Sequence, residues 1–162
     1  VRFLLLVAFC LLVGCSSDPS FELADKWSPL KRIEQSDHVV GGGAVTIFST
    51  LYVRDLKRWL VSHPEGYLRD SLLLHEQIHA RQELYSPGGF FVWFPRYLLS
   101  PEYRWEQERP AYEVELRCCR LFEAWINADE WAKTLSGDTY EVFGQKMISF
   151  DEAKAWVKSL RQ

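Results

Sequence analysis

The sequence predicts an α+β fold, mainly helical, with a small β element ahead of one long helix and further helices after it. Three observations carry that prediction. Residues 39–53 are rich in β-branched and aromatic side chains interrupted by Gly41-Gly42-Gly43, the composition of short strands joined by a turn. Leu68 to Leu84 contains neither Pro nor Gly and becomes helical in pattern. Ser100-Pro101-Glu102 and Ser149-Phe150-Asp151-Glu152 are helix-opening signals, the first a cap followed by Pro at the first helical position, the second a capping box. With 162 residues, 48% hydrophobic and 25% charged, the chain can fill one core and is short for two ordinary domains.

The elements follow in order. Val1 to Val13 is apolar apart from Arg2, and at about 1.5 Å per residue it falls well short of the ~30 Å hydrocarbon core of a bilayer. It therefore reads as the apolar region of a signal peptide. Leu12-Val13-Gly14-Cys15 resembles the lipobox of bacterial lipoproteins. That resemblance implies removal of residues 1–14, acylation of Cys15, and a lipidated, polar tether over residues 15–30. It also implies a place in the cell envelope, on the outer membrane facing the periplasm where a second membrane exists, since Ser16 rather than Asp follows the cysteine. Val at position 1 suggests an alternative start codon or a truncated gene model.

Residues 31–162 are expected as a single domain. Asp37 to Asp55 should hold two or three short strands, with the glycine run as a turn or a close backbone approach. His63-Pro64-Glu65-Gly66 is a turn, Leu68 to Leu84 a helix, and Ser86-Pro87-Gly88-Gly89 its stop. Phe90 to Leu99 is an apolar run broken by Pro95. A helix opens at Pro101, is interrupted or kinked at Pro110, and resumes to about Lys133, with Ser136-Gly137-Asp138 as the next turn. The last helix follows Ser149, with Ala153, Trp156, Val157 and Leu160 on one face. Cys118 and Cys119 are the two cysteines outside the amino-terminal segment, too few for a disulfide framework, and buried apolar residues are their expected role. Seven Trp point to a core built around large flat side chains.

The chemistry lies in His75-Glu76-Gln77-Ile78-His79. On a helix, positions i and i+4 share a face with Cβ atoms about 5–6 Å apart, so both imidazoles can reach one tetrahedral ion. Glu76 then lies beside the ion, placed as a general base that takes a proton from the attacking water. Zinc bound by two histidines needs a third protein ligand and an open position. The spacing leaves Glu106, Glu108, Glu113 and Glu115 as candidates.

His75-Glu76-Gln77-Ile78-His79-Ala80-Arg81-Gln82, followed later by Glu108-Arg109-Pro110-Ala111-Tyr112, resembles the gluzincin branch of zinc metallopeptidase-like domains. More narrowly, it is similar to small bacterial domains with an H-E-x-x-H-x-x-Q helix and a later E-x-x-A-Y motif. The resemblance covers about Val45 to Leu116. It implies a zincin-like fold, one Zn2+ held by His75, His79 and Glu108, and Tyr112 one turn on as an outer partner or substrate-facing group. A developing oxyanion would find its donor among Tyr112, Tyr103, Tyr97 and Arg104. Gln82 reads as a helix polar residue or as support for a ligand, and His38 and His63 as ordinary exposed histidines.

A net charge of −3 and a pI near 5.8 give no basic field for nucleic acid. Two functions compete. In the first, a membrane-anchored zinc peptidase hydrolyses a peptide or other amide bond in the envelope, an extended substrate pairing with a sheet edge near Val45 to Phe48. In the second, the zinc is structural and the domain is a binding or assembly lipoprotein, with Phe90, Phe91, Trp93 and Phe94 meeting a partner or membrane surface. Glu76 favours the first, because a structural site has no use for that carboxylate.

Overall fold

The computed structural model of the chain describes residues 20–22, 29–37, 39, 44–64, 66–121, 127–141 and 144–160. The apolar leader, Cys15, His38 and Gly41 to Gly43 lie outside the described residues. By contacts the chain groups into two units, Val1–Ser62 and His63–Gln162, where the sequence suggests one domain over residues 31–162.

The first unit holds the sheet. Strands β1 (Ser20–Glu22), β2 (Arg32–Gln35), β3 (Ala44–Ile47) and β4 (Thr50–Val53) lie in the order β1-β2-β4-β3. β2 and β4 run parallel with Ile33 opposite Leu51, and the other two pairings are antiparallel. Flanked on both sides, β4 buries all four of its residues, so it lacks the in-out alternation that marks a half-exposed strand. β3 forms the expected edge. The β3–β4 turn puts Phe48 at φ 55, a left-handed conformation that costs a residue with a Cβ and ordinarily falls to Gly or Asn. β1 and β2 precede the expected β region, β1 within the stretch read as tether. Helix α1 (Leu56–Ser62) follows, opened by the Asp55 side chain, which accepts from the Arg58 amide at 2.8 Å, and seated by Leu56 and Trp59.

The second unit is helical. α2 (Tyr67–Tyr85) matches the expected helix to within one residue at each end. α3 (Phe90–Leu99) is a helix that contains Pro95, where the sequence showed only an interrupted apolar run. Pro95 withholds one amide from the ladder, and burial of Phe90 and Trp93 offsets that loss. α4 (Pro101–Leu121) starts at the expected proline, with Ser100 Oγ accepting from the Tyr103 amide at 3.1 Å. It continues through Pro110, so the expected interruption there is not seen. The expected continuation to Lys133 is replaced by a separate helix, α5 (Ala128–Leu135), whose cap Asn127 accepts from the amides of Asp129 and Glu130.

α6 (Phe150–Ser159) carries both halves of the Ser149–Glu152 capping box and buries Ala153 and Val157. α2 packs along α4, α3 against both, and α5 against α6. A core of Tyr112, Leu116, Ala132, Leu135 and Val157 is walled by Trp105, Trp131 and Trp156, and withdrawing Leu116, Leu135 and Val157 from water contributes roughly 1.5–3 kcal/mol each. Cys118 and Cys119 are buried free thiols, as expected, and burial raises both above the usual thiol range.

Candidate metal centre

The site lies where α2 meets α4. Four residues apart on α2, His75 and His79 turn their Nε2 atoms toward each other at 3.0 Å. Glu108 on α4 completes a triangle: Oε2 is 3.4 Å from His75 Nε2, and Oε1 is 3.4 Å from His79 Nε2. In a tetrahedral site with bonds of about 2.0–2.1 Å, neighbouring ligand atoms are about 3.3 Å apart, close to all three separations. The three residues are buried and could hold a metal ion. Glu108 Oε2 is buried without a hydrogen-bond donor, and a carboxylate oxygen in that condition is costly unless a cation meets it. The donor set therefore fits a divalent metal.

The charges give the same account. Burial works against a charged His75, but the carboxylates of Glu108 and Glu115 close to its ring, then the charge of Glu76, push it up to about 10. Burial also opposes the charged form of His79, and the charge and hydrogen bond of Glu108 outweigh it. Glu108 is held below the carboxylate range in spite of its burial, chiefly by His79 and His75. Two imidazoles and one carboxylate are thus balanced either by protons or by a metal.

An outer layer orients the three side chains. His79 Nδ1 lies 2.9 Å from Gln82 Oε1, and Gln82 Nε2 donates to the Gln107 carbonyl at 2.8 Å. The amide is thereby oriented, and a proton on His79 Nδ1 leaves Nε2 free for the site. His75 Nδ1 lies 2.9 Å from Glu115 Oε2, off the line a ring N–H would take, since the nitrogen has no aligned hydrogen bond. Tyr97 donates its hydroxyl to Glu108 Oε1 and stacks on Trp93, with ring centroids 4.9 Å apart. Trp93 Nε1 donates to Gln107 Oε1 at 3.0 Å.

The other expected site residues divide. Glu76 is buried one position beyond His75. Tyr112 sets its ring edge-on to His75 at 4.4 Å, and its hydroxyl pairs with that of Tyr140. Burial, then the charge of Glu108, holds Tyr97 and Tyr112 far above the ordinary phenol range, so both keep their protons. The Arg104 guanidinium is engaged with backbone, donating to the carbonyls of Tyr97 at 3.0 Å, of Leu98 at 2.9 Å, and of Tyr140. Tyr103 lies under the Arg96 guanidinium at 4.1 Å. Glu113 pairs with Arg117 at 2.7 Å, and Glu106 is exposed, so Glu108 is the carboxylate at the triangle. Gln107 and Tyr140 escaped the sequence reading, and Phe90 and Trp93, expected at a partner or membrane surface, are instead buried, Trp93 against Gln107. For Gln107 the signal was available, since it adjoins Glu108, whereas nothing local marks Tyr140.

Comparison with protein-family models, curated proteins and solved structures finds no match to this chain.

Proposed function

We propose that this chain is a zinc-dependent peptidase-type hydrolase, zincin-like and of the gluzincin kind, working on a peptide or envelope protein. The observation that carries the proposal is the triangle of His75, His79 and Glu108 with Glu76 buried beside it. Two imidazoles and one carboxylate are the donor set of hydrolytic zinc sites, and three protein ligands leave a position open. Zinc bound there supplies Lewis-acid polarisation of a carbonyl and lowers the pKa of water.

The remaining work falls to the protein. Glu76 takes a proton from the attacking water as its oxygen bonds to the scissile carbonyl carbon, and returns it to the amine as the C–N bond breaks. Tyr112, a protonated phenol whose ring lies against His75, is the candidate to steady the developing oxyanion. The lipobox-like Leu12-Val13-Gly14-Cys15 supports an envelope location with membrane attachment through Cys15.

One observation favours the second reading, a structural zinc in a binding or assembly lipoprotein: every ligand and Glu76 are less than a tenth exposed. Two variants separate the readings. Glu76→Gln should keep its zinc and fold while losing ~10²–10⁴ in rate. Glu108→Gln should weaken zinc retention as well. Zinc content and rescue of a deletion strain are the readouts, and full rescue by Glu76→Gln would sink the hydrolase reading.

A further inference from the structure

α3 is apolar on both of its sides. Phe90 and Trp93 face inward, and Tyr97 reaches Glu108. The outer face is Phe91, Val92, Pro95, Arg96 and Leu99, all exposed and spaced as one side of a helix. Phe91 is 81% exposed and Leu99 59%, and at the end of α2 Tyr85 is 80% exposed and Leu84 48%. The turn between them is tight: a Cβ on Gly88 would lie 2.4 Å from Val92 Cγ2. An ordinary surface helix turns polar residues outward, and an apolar face of this kind marks an interaction surface.

The charges around it select the partner. Arg81 near one end and Arg96 within the face are exposed, while Glu83, the one acid between Arg81 and Leu99, is buried, and the next acid, exposed Glu102, belongs to the first turn of α4. A local positive edge on a chain of net charge −3 complements an anionic surface, and aromatic and aliphatic side chains flanked by arginines are the chemistry of interfacial helices. No described helix is long and apolar enough to cross a membrane, so the contact is in the plane of the interface. We infer that the outer face of α3 with the end of α2 is a docking surface for an anionic lipid bilayer. The inference is independent of the metal and of hydrolysis, because the residues concerned are on the side of α3 away from Tyr97 and Trp93.

Segment-resolved hydrogen exchange on the full chain tests it, with vesicles of phosphatidylcholine alone and vesicles rich in phosphatidylglycerol. Exchange across residues 84–99 should slow several-fold with the anionic vesicles, far less with the neutral ones, and recover in high salt. Tyr85→Asp with Phe91→Asp, both at exposed positions, should abolish that protection without changing far-UV dichroism or protection elsewhere. Unchanged exchange over 84–99, equal protection by both vesicles, or equal protection in the double variant would overturn the inference. Protection that needs no lipid and grows with protein concentration would also overturn it, assigning the face to a second copy of the chain.

Discussion

The two oxygens of Glu108 have different surroundings: Oε1 receives the Tyr97 hydroxyl, and Oε2 has no donor. The balance of charge around it makes a prediction about pH. His75 is raised from 6.5 to about 10, so in metal-free protein its proton contributes stability that is complete below 6.5 and lost as pH rises toward about 10. Glu108, held low, contributes stability above the ordinary carboxyl range that is lost as pH falls. Metal-free protein should therefore melt at a lower temperature at about pH 9 than at about pH 7. Zinc affinity should move the other way, rising with pH, because the metal displaces those protons. Scanning calorimetry with and without zinc checks both slopes.

Gln82 gives a second prediction at this scale: Gln82→Met removes both of its bonds and should cost about 10–100-fold in zinc affinity, read by chelator competition. His75, Glu76, His79 and Glu108 were legible because a local spacing or a short motif marks each. Tyr97 stood among several equal tyrosines, and Tyr140 reaches the site through Tyr112 by a packing no local pattern encodes.

Helices with local punctuation were the ones legible at the scale of elements. α2 has no Pro or Gly within it, α4 has Ser100-Pro101, and α6 has its capping box. α3, β1 and β2 lack such marks, and α1, although Asp55 caps it, is only seven residues long. Ile33 is secured by Leu51 across the parallel ladder, and α3 tolerates Pro95 because of what Phe90 and Trp93 bury. Composition registers neither. Pro110 was expected to disturb α4, yet Glu108 and Tyr112 on either side of it are held by Tyr97 and Tyr140. The capping box can be tested alone: Ser149→Ala should cost about 1 kcal/mol in urea unfolding. The bonds removed run between Ser149 and Glu152, so zinc affinity should stay as it was.

For the molecule as a whole, the placement of His75, His79 and Glu108 has a consequence for the order of events in folding. His75 and His79 are neighbours on one helix, so they can meet an ion as soon as that turn of α2 forms, on the timescale of helix growth. Glu108 arrives only when α4 docks, a contact of greater sequence separation that pays loop-closure entropy first. An ion caught by the local pair would present an attractive target for that carboxylate, so zinc should speed refolding as well as slow unfolding. In stopped-flow refolding followed by tryptophan fluorescence, the acceleration should vanish in His79→Ala. Glu108→Gln should instead unfold faster in zinc than wild type. If zinc alters only the unfolding arm in the wild-type chain, the ion enters after docking, and α2 and α4 find each other by their apolar faces alone.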